Sequence, residues 1–257
     1  MRIEMLGAHN TETDKTRLPC LLVDGIVALD AGGLTASLPL ERQQRIKSVL
    51  LTHHHLDHCK DLIMLSANSL PGSTIDVYGL RDTLETVYGY LFDGKLYRDY
   101  TRWPSADNPL VRLKPVMPFK YWMMRNLEIL PLPVSHTVPA VGYFVKADGG
   151  KSLFYTGDTG PGLGECWERI APDLLIIEST GLNRQQEEME NLRRHLTPGL
   201  LVEELTEFRK VRGYLPRVIV NHIPIAYEDE MREEIAAAGK QLEMEIEVGY
   251  EGLTVEL

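Results

Sequence analysis

THHHLDH, residues 52–58, decides how this chain is read. It follows the aliphatic run SVLL at 48–51, which predicts a short strand, and it leads into an apolar stretch that predicts a helix over 57–68. Residues two apart at a strand end point the same way, so His53 and His55 converge, while Asp57 and His58 fall on the first turn of the helix. Two adjacent donor sets result. Imidazole nitrogen with carboxylate oxygen suits zinc and other borderline divalent ions, and these donors suffice for two of them.

The remaining histidines extend the pattern. His136 in VSHT, His195 in RHLTP and His222 in VNHI each follow or end an apolar run, leaving only His9 and His54 outside such motifs. Asp158 in FYTGDTG ends another apolar strand, where its two oxygens can bridge two ions. A single histidine at a strand end is ordinarily a satisfied polar side chain, but the cluster of six reverses that reading. Asp30, closing IVALD, is either an acceptor for a ligand imidazole or a hairpin-end turn residue. Cys59 reads as a buried thiol rather than a further ligand, and His54 points away from its neighbours.

Around these motifs, residues 18–31 read as two apolar runs joined by Asp24-Gly25, a hairpin. A polar helical stretch runs from Glu41 to Ile46. Further strands are predicted at 126–134, 140–147, 151–157, 173–179, 217–222 and 244–257. Helices are predicted at 81–92, about 184–193, 198–211 and 228–239. Strand-rich halves, each closed by helices, predict an α/β protein with two sheets face to face and helices outside, a four-layer αββα sandwich. No internal sequence repeat supports that symmetry. One domain spanning 1–257 is expected, with an aromatic-rich insertion at about 76–125. That segment holds six of the eleven tyrosines and two of the three tryptophans, with eight basic residues against six acidic. Its aromatics read as core or as a subunit interface, the latter in a homodimer; a base-stacking surface is the alternative. Pro104 to Pro118 is expected to be an extended loop.

Composition narrows the function classes. The 257 residues are 44% hydrophobic and 25% charged, which excludes disorder and allows a sizeable core. With 27 Lys and Arg against 37 Asp and Glu, the net charge of −10 repels a nucleic-acid backbone, so no long nucleic acid is expected as a partner. The sequence contains no run long enough to cross a bilayer, and because the opening MRIEMLGAHN lacks an apolar run no secretory leader is expected. Cys20, Cys59 and Cys166 are scattered without CxxC spacing, as in reduced cytosolic proteins, so a cytoplasmic location and no membrane partner are expected.

The pattern resembles the metallo-β-lactamase superfamily at seven positions: His53, His55, Asp57, His58, His136, Asp158 and His222. That resemblance implies the αββα sandwich with two divalent ions per chain, zinc first, manganese or iron as alternatives. His53, His55 and His136 then hold one ion, Asp57, His58 and His222 the other, and Asp158 lies between. Members with a redox di-iron centre carry Glu at the position of His55, so hydrolysis is implied here. Within the superfamily, HHHLDHCKDLIMLSA is similar to the signature of class II 3′,5′-cyclic-nucleotide phosphodiesterases, matching at Leu62, Ile63, Met64, Ser66 and Ala67 and departing at Cys59 and Asp61. VYGLRDTLETVYGYLFDGKLY, IEST and RHLTPGLLVEEL extend the likeness.

The implied substrate is a small 3′,5′-cyclic nucleotide such as cAMP or cGMP, opened to the 5′-monophosphate by ion-activated water. Asp57 and His195 are the candidate catalytic residues, His195 as phosphate contact or proton donor. The other reading of His195 is a helix-cap neighbour, with Thr197 as N-cap and Pro198 at the first helical position. Rival readings are an RNA 3′-processing endonuclease, a thioester or lactam hydrolase, and, outside enzymes, a ligand-binding pseudoenzyme.

Overall fold

The computed structural model describes residues 1–70, 72–192 and 195–257. The chain forms two compact units: Met1–Ala8, Glu12–Met117 and Glu251–Glu256 make unit 1, and His9–Thr11, Pro118–Tyr250 and Leu257 make unit 2.

Unit 1 carries a seven-stranded sheet built from β1 (Arg2–Gly7), β2 (Cys20–Val23), β3 (Val27–Leu29), β4 (Ser48–Leu50), β5 (Ile75–Gly79), β6 (Val111–Pro115) and the C-terminal β14 (Thr254–Glu256). The order is β14-β1-β2-β3-β4-β5-β6, antiparallel from β14 to β3 and parallel from β3 to β6. The β2–β3 hairpin turns where expected, because Asp24 and Gly25 both take positive φ and the Ile26 amide donates to the Val23 carbonyl. Parallel neighbours need crossovers, supplied by Leu40–Gln43, by Leu56–Cys59 with Leu62–Ala67, and by Arg81–Val87 continuing as a π turn over Tyr88–Phe92. Ala28, Val49, Val77 and Val111 of the strands pack with Leu62, Leu65, Leu84 and Phe92 of the crossovers.

Unit 2 repeats the pattern with β7 (Trp122–Met124), β8 (Leu127–Val134), β9 (Ala140–Ala147), β10 (Ser152–Tyr155), β11 (Leu174–Glu178), β12 (Arg217–Asn221) and β13 (Ile246–Val248). The strands from β7 to β10 are antiparallel and those from β10 to β13 parallel. LLII in β11 and VIV in β12 are near-continuous apolar runs, as parallel strands buried on both faces require. Phe154, Ile177 and Val220 meet Trp167, Leu205, Phe208 and Ile235 from the helices Gly164–Arg169, Pro198–Arg212 and Glu228–Leu242. Thus each unit has three antiparallel steps followed by three parallel ones, a symmetry of topology that no sequence repeat announces.

Several expectations change. The helix over 57–68 is two short pieces, Leu56–Cys59 and Leu62–Ala67, because the Asp61 amide donates to the Ala31 carbonyl instead of continuing the helix. Asp61 also accepts from the amide and hydroxyl of Thr35 and pairs with Lys60, so this departure from the phosphodiesterase signature is a local anchor. Pro104 to Pro118 is not loop throughout: it contains β6, an edge strand paired only with β5, where Pro115 is tolerated. Strands β1, β5 and β7 lie outside the predicted elements. The helix predicted at about 184–193 is a 3₁₀ turn, Asn183–Gln185, followed by Gln186–Leu192; residue 193 lies outside the described residues. Within the aromatic-rich segment, Tyr100 and Trp103 pack on the unit 1 core, whereas Tyr90, Leu96 and Tyr97 are exposed.

Candidate metal centre

In unit 1 the donors gather behind β4 under the control of one carboxylate. Asp30 follows β3 in the left-handed region at φ 59°, a conformation Asp tolerates better than most residues, and its side chain is fully buried. It accepts from the Thr52 amide at 2.8 Å and the Thr52 hydroxyl at 2.9 Å, and it takes the Nδ1–H of His58 at 2.7 Å. Having given its proton to Asp30, the Thr52 hydroxyl accepts the Nδ1–H of His53 at 3.0 Å. One buried carboxylate therefore fixes two imidazoles, one directly and one through a hydroxyl, and both present Nε2 as the lone-pair donor. The His53 ring lies 4.6 Å from that of His55 and 4.3 Å from that of His58, centroid to centroid, so the three do converge. Asp57 Oδ2 stands 3.6 Å from His58 Nε2. Gly32 makes room for this turn: a Cβ there would sit 1.9 Å from the Asp57 carbonyl oxygen.

Unit 2 solves the same problem with Glu178, the last residue of β11 and fully buried. Its carboxylate accepts the Thr159 amide at 3.0 Å, the Thr180 hydroxyl at 2.8 Å and the Nδ1–H of His195 at 2.6 Å. Thr180 has one proton, which goes to the carboxylate rather than to the His222 carbonyl at 3.2 Å; its oxygen then accepts the Nδ1–H of His222 at 2.7 Å. His222 follows β12 directly at φ 61°, a second left-handed residue without being glycine. Asp158 Oδ1 is 3.4 Å from His222 Nε2, and its Oδ2 is 4.0 Å from both His136 Nε2 and His195 Nδ1. His195 stacks on His222 at 5.4 Å. Donor atoms of Glu178, His195 and His222 also lie close enough to hold an ion, but the Glu178 oxygens are already engaged by three hydrogen bonds, so this trio is a scaffold.

The donor chemistry fits a divalent metal. Imidazoles whose Nδ1 is held by a carboxylate or a threonine hydroxyl, next to aspartate carboxylates, are donors of the kind zinc-type ions take, and such His and Asp clusters recur in both units. His54, expected to point away, has its pKa lowered by burial. Burial raises the thiol pKa of Cys59 to about 12; it lies 3.6 Å from the His54 carbonyl and is held as a neutral thiol. Thr197 caps the helix Pro198–Arg212 by accepting from the Leu200 amide, with Pro198 in the first turn, so the cap role belongs to Thr197 while His195 is tied to Glu178. Thr52, quoted within THHHLDH, and Glu178 and Thr180, quoted within IEST, have no role assigned in the sequence reading. Their only signal was position beside a strand end.

Comparison with known proteins places the chain. The family described as "Beta-lactamase superfamily domain" matches residues 21–223, and the chain belongs to it. A 3′,5′-cyclic-nucleotide phosphodiesterase of Aliivibrio fischeri is 27% identical over 196 residues, 66% of this chain and 56% of that protein; this chain thus spans a little over half the relative's length. Among solved structures, unliganded yeast PDE1 superposes with a TM-score of 0.82 at 19% identity, covering 100% of this chain and 99% of that one. Human tRNase Z, short form, gives 0.69 at 18% identity, covering 100% and 99%. These likenesses show the metallo-β-lactamase fold, the α/β class expected from the sequence. Yeast PDE1 and human tRNase Z share it, so the fold alone selects no substrate.

Proposed function

We propose that this chain is a metal-dependent phosphodiesterase that opens a 3′,5′-cyclic nucleotide to the 5′-monophosphate. In this reading His53, His55 and His136 ligate one divalent ion, zinc first, and Asp57, His58 and His222 a second, with Asp158 shared. Such ions supply Lewis acidity, neutralising phosphate charge and acidifying water. The observation that carries the phosphodiester reading is the Glu178–His195 pair. With Nδ1 held by the buried Glu178 carboxylate, His195 is the proton source for the departing 3′ oxygen through its Nε2–H in this reading. Hydrolysis of a lactam or thioester does not call for that pair. Asp57, whose carboxylate is partly exposed, accepts the proton of the attacking water.

The name of the Aliivibrio relative supports the cyclic-nucleotide substrate, and the charge of −10 argues against RNA. Among the described residues no helix is long and apolar enough to cross a membrane. All three cysteines are buried and free, which supports a cytoplasmic location. The exposed Tyr90, Leu96 and Tyr97 are where a homodimer contact is proposed.

The test is a comparison of kcat/KM for cAMP, cGMP, a 2′,3′-cyclic nucleotide, a cyclic dinucleotide, pre-tRNA and a thioester under one metal condition, with products identified by phosphorus NMR. Preferential conversion of a 3′,5′-cyclic nucleotide to the 5′-monophosphate is expected. Turnover of pre-tRNA or thioester with no cyclic nucleotide cleaved contradicts the reading. His195→Ala is expected to lower the rate on the natural ester by about 10² to 10⁴, the range for a positioned acid, and much less on an ester with an activated leaving group.

A further inference from the structure

Unit 2 contains a cavity of about 520 Å³ that the chemistry above does not use. One wall is Pro133, Val134 and Ser135, the other Pro161 and Gly162, with Glu165 and Cys166 completing the lining. Its position is telling. Ser135 is one Cα step, about 3.8 Å, from His136, and Pro161 is three residues beyond Asp158. The walls are fixed to one another: the Gly160 amide donates to the Ser135 carbonyl, and the Cys166 thiol to the Pro133 carbonyl at 3.4 Å. From beneath, the buried Glu204 accepts the Gly162 amide at 2.6 Å, the Leu163 amide at 3.2 Å and the Trp167 indole at 3.0 Å. A cavity held this way is preorganised, and its size is that of a small-molecule site.

Its chemistry selects what enters. The ionisable side chains of the lining are the Glu165 carboxylate and the Cys166 thiol, which burial raises to about 12 and so keeps neutral. The lining residues include no cation to hold a phosphate, so the cavity suits the uncharged end of a ligand. Pro133, Val134 and Pro161 offer apolar surfaces for the faces of a flat ring, and Glu165 and Ser135 offer a carboxylate acceptor and a hydroxyl. Guanine presents a matching edge, a carbonyl oxygen beside two N–H donors. Adenine presents an acceptor ring nitrogen where the carboxylate needs a donor.

Resting on the phosphodiesterase reading for the phosphate's place, we propose that this cavity is the base subsite and that Glu165, with Ser135, makes it prefer guanine over adenine. Glu165 is a specificity residue. Its carboxylate also pairs with Arg169 at 2.9 Å, which orients it along the helix Gly164–Arg169.

The experiment measures binding of guanosine and adenosine, neither carrying phosphate, to the metal-loaded full chain by NMR titration, for wild type and Glu165→Gln. Guanosine should bind about tenfold more tightly, as one charge-assisted hydrogen bond allows, and Glu165→Gln should bring the two within about twofold. Circular dichroism checks that the variant, altered at a half-exposed side chain, keeps its fold. Equal binding, no binding of either nucleoside, or a preference that survives in Glu165→Gln overturns the proposal. The outcomes separate the two readings. Cyclic-nucleotide hydrolysis without a guanine preference removes the subsite and keeps the activity, whereas guanosine selectivity without hydrolysis does the reverse.

Discussion

Asp30 and Glu178 each hold one histidine directly and a second through a threonine hydroxyl. Outer carboxylates that fix ligand tautomers are worth about 10- to 100-fold in metal affinity. Asp30→Asn is therefore expected to weaken zinc binding by about that factor, measured by competition with a chelator, because the amide can present its NH₂ to groups that need an acceptor. Unchanged affinity would mean that the tautomers are set elsewhere. The seven proposed donors stood out in the sequence because candidate metal ligands of few residue types recur there at spacings set by strand and helix. Asp30 was legible only as one of two alternatives, and the roles of Thr52, Thr180 and Glu178 were not legible, since a hydrogen bond to the far nitrogen of a ring imposes no spacing on the sequence. The thiols give a pH prediction at the same scale. With Cys59 and Cys166 raised to about 12, both remain protonated at pH 8, and thiolate forms only as pH approaches 12. Iodoacetamide at pH 8 should leave them unmodified in the folded chain and label them after denaturation, as read by mass spectrometry.

Elements place these residues through the turns that follow them. The break between Leu56–Cys59 and Leu62–Ala67 lets the chain turn at Asp61, and the tight approach of Gly32 to the Asp57 carbonyl fixes where that turn sits. Gly32→Ala forces this contact apart, at about 1–3 kcal/mol for overpacking, and is expected to lower Tm by roughly 2–10 °C with weaker zinc binding. Gly149→Ala, with nothing within 4 Å of the added Cβ, is the neutral control. Equal melting of the two variants would show that the approach is not limiting. Periodicity foresaw the long elements, such as the helices Pro198–Arg212 and Glu228–Leu242, because their apolar faces repeat over several turns. It missed the interior strands β1 and β5 as well as β6 and β7, which are five and three residues long at sheet edges, where pairing with a neighbour rather than an apolar pattern makes the strand.

At the scale of the molecule, two units of like topology each carry histidines and an aspartate after the carboxyl ends of their strands. The proposed function requires two divalent ions per chain, which is a statement about stoichiometry. Native mass spectrometry with elemental analysis measures it directly on the zinc-loaded chain. The result expected is two ions per chain, retained in His54→Ala and reduced to one or none in Asp158→Ala. A wild-type chain with no bound ion, or an Asp158→Ala chain that keeps both at wild-type affinity, would contradict it.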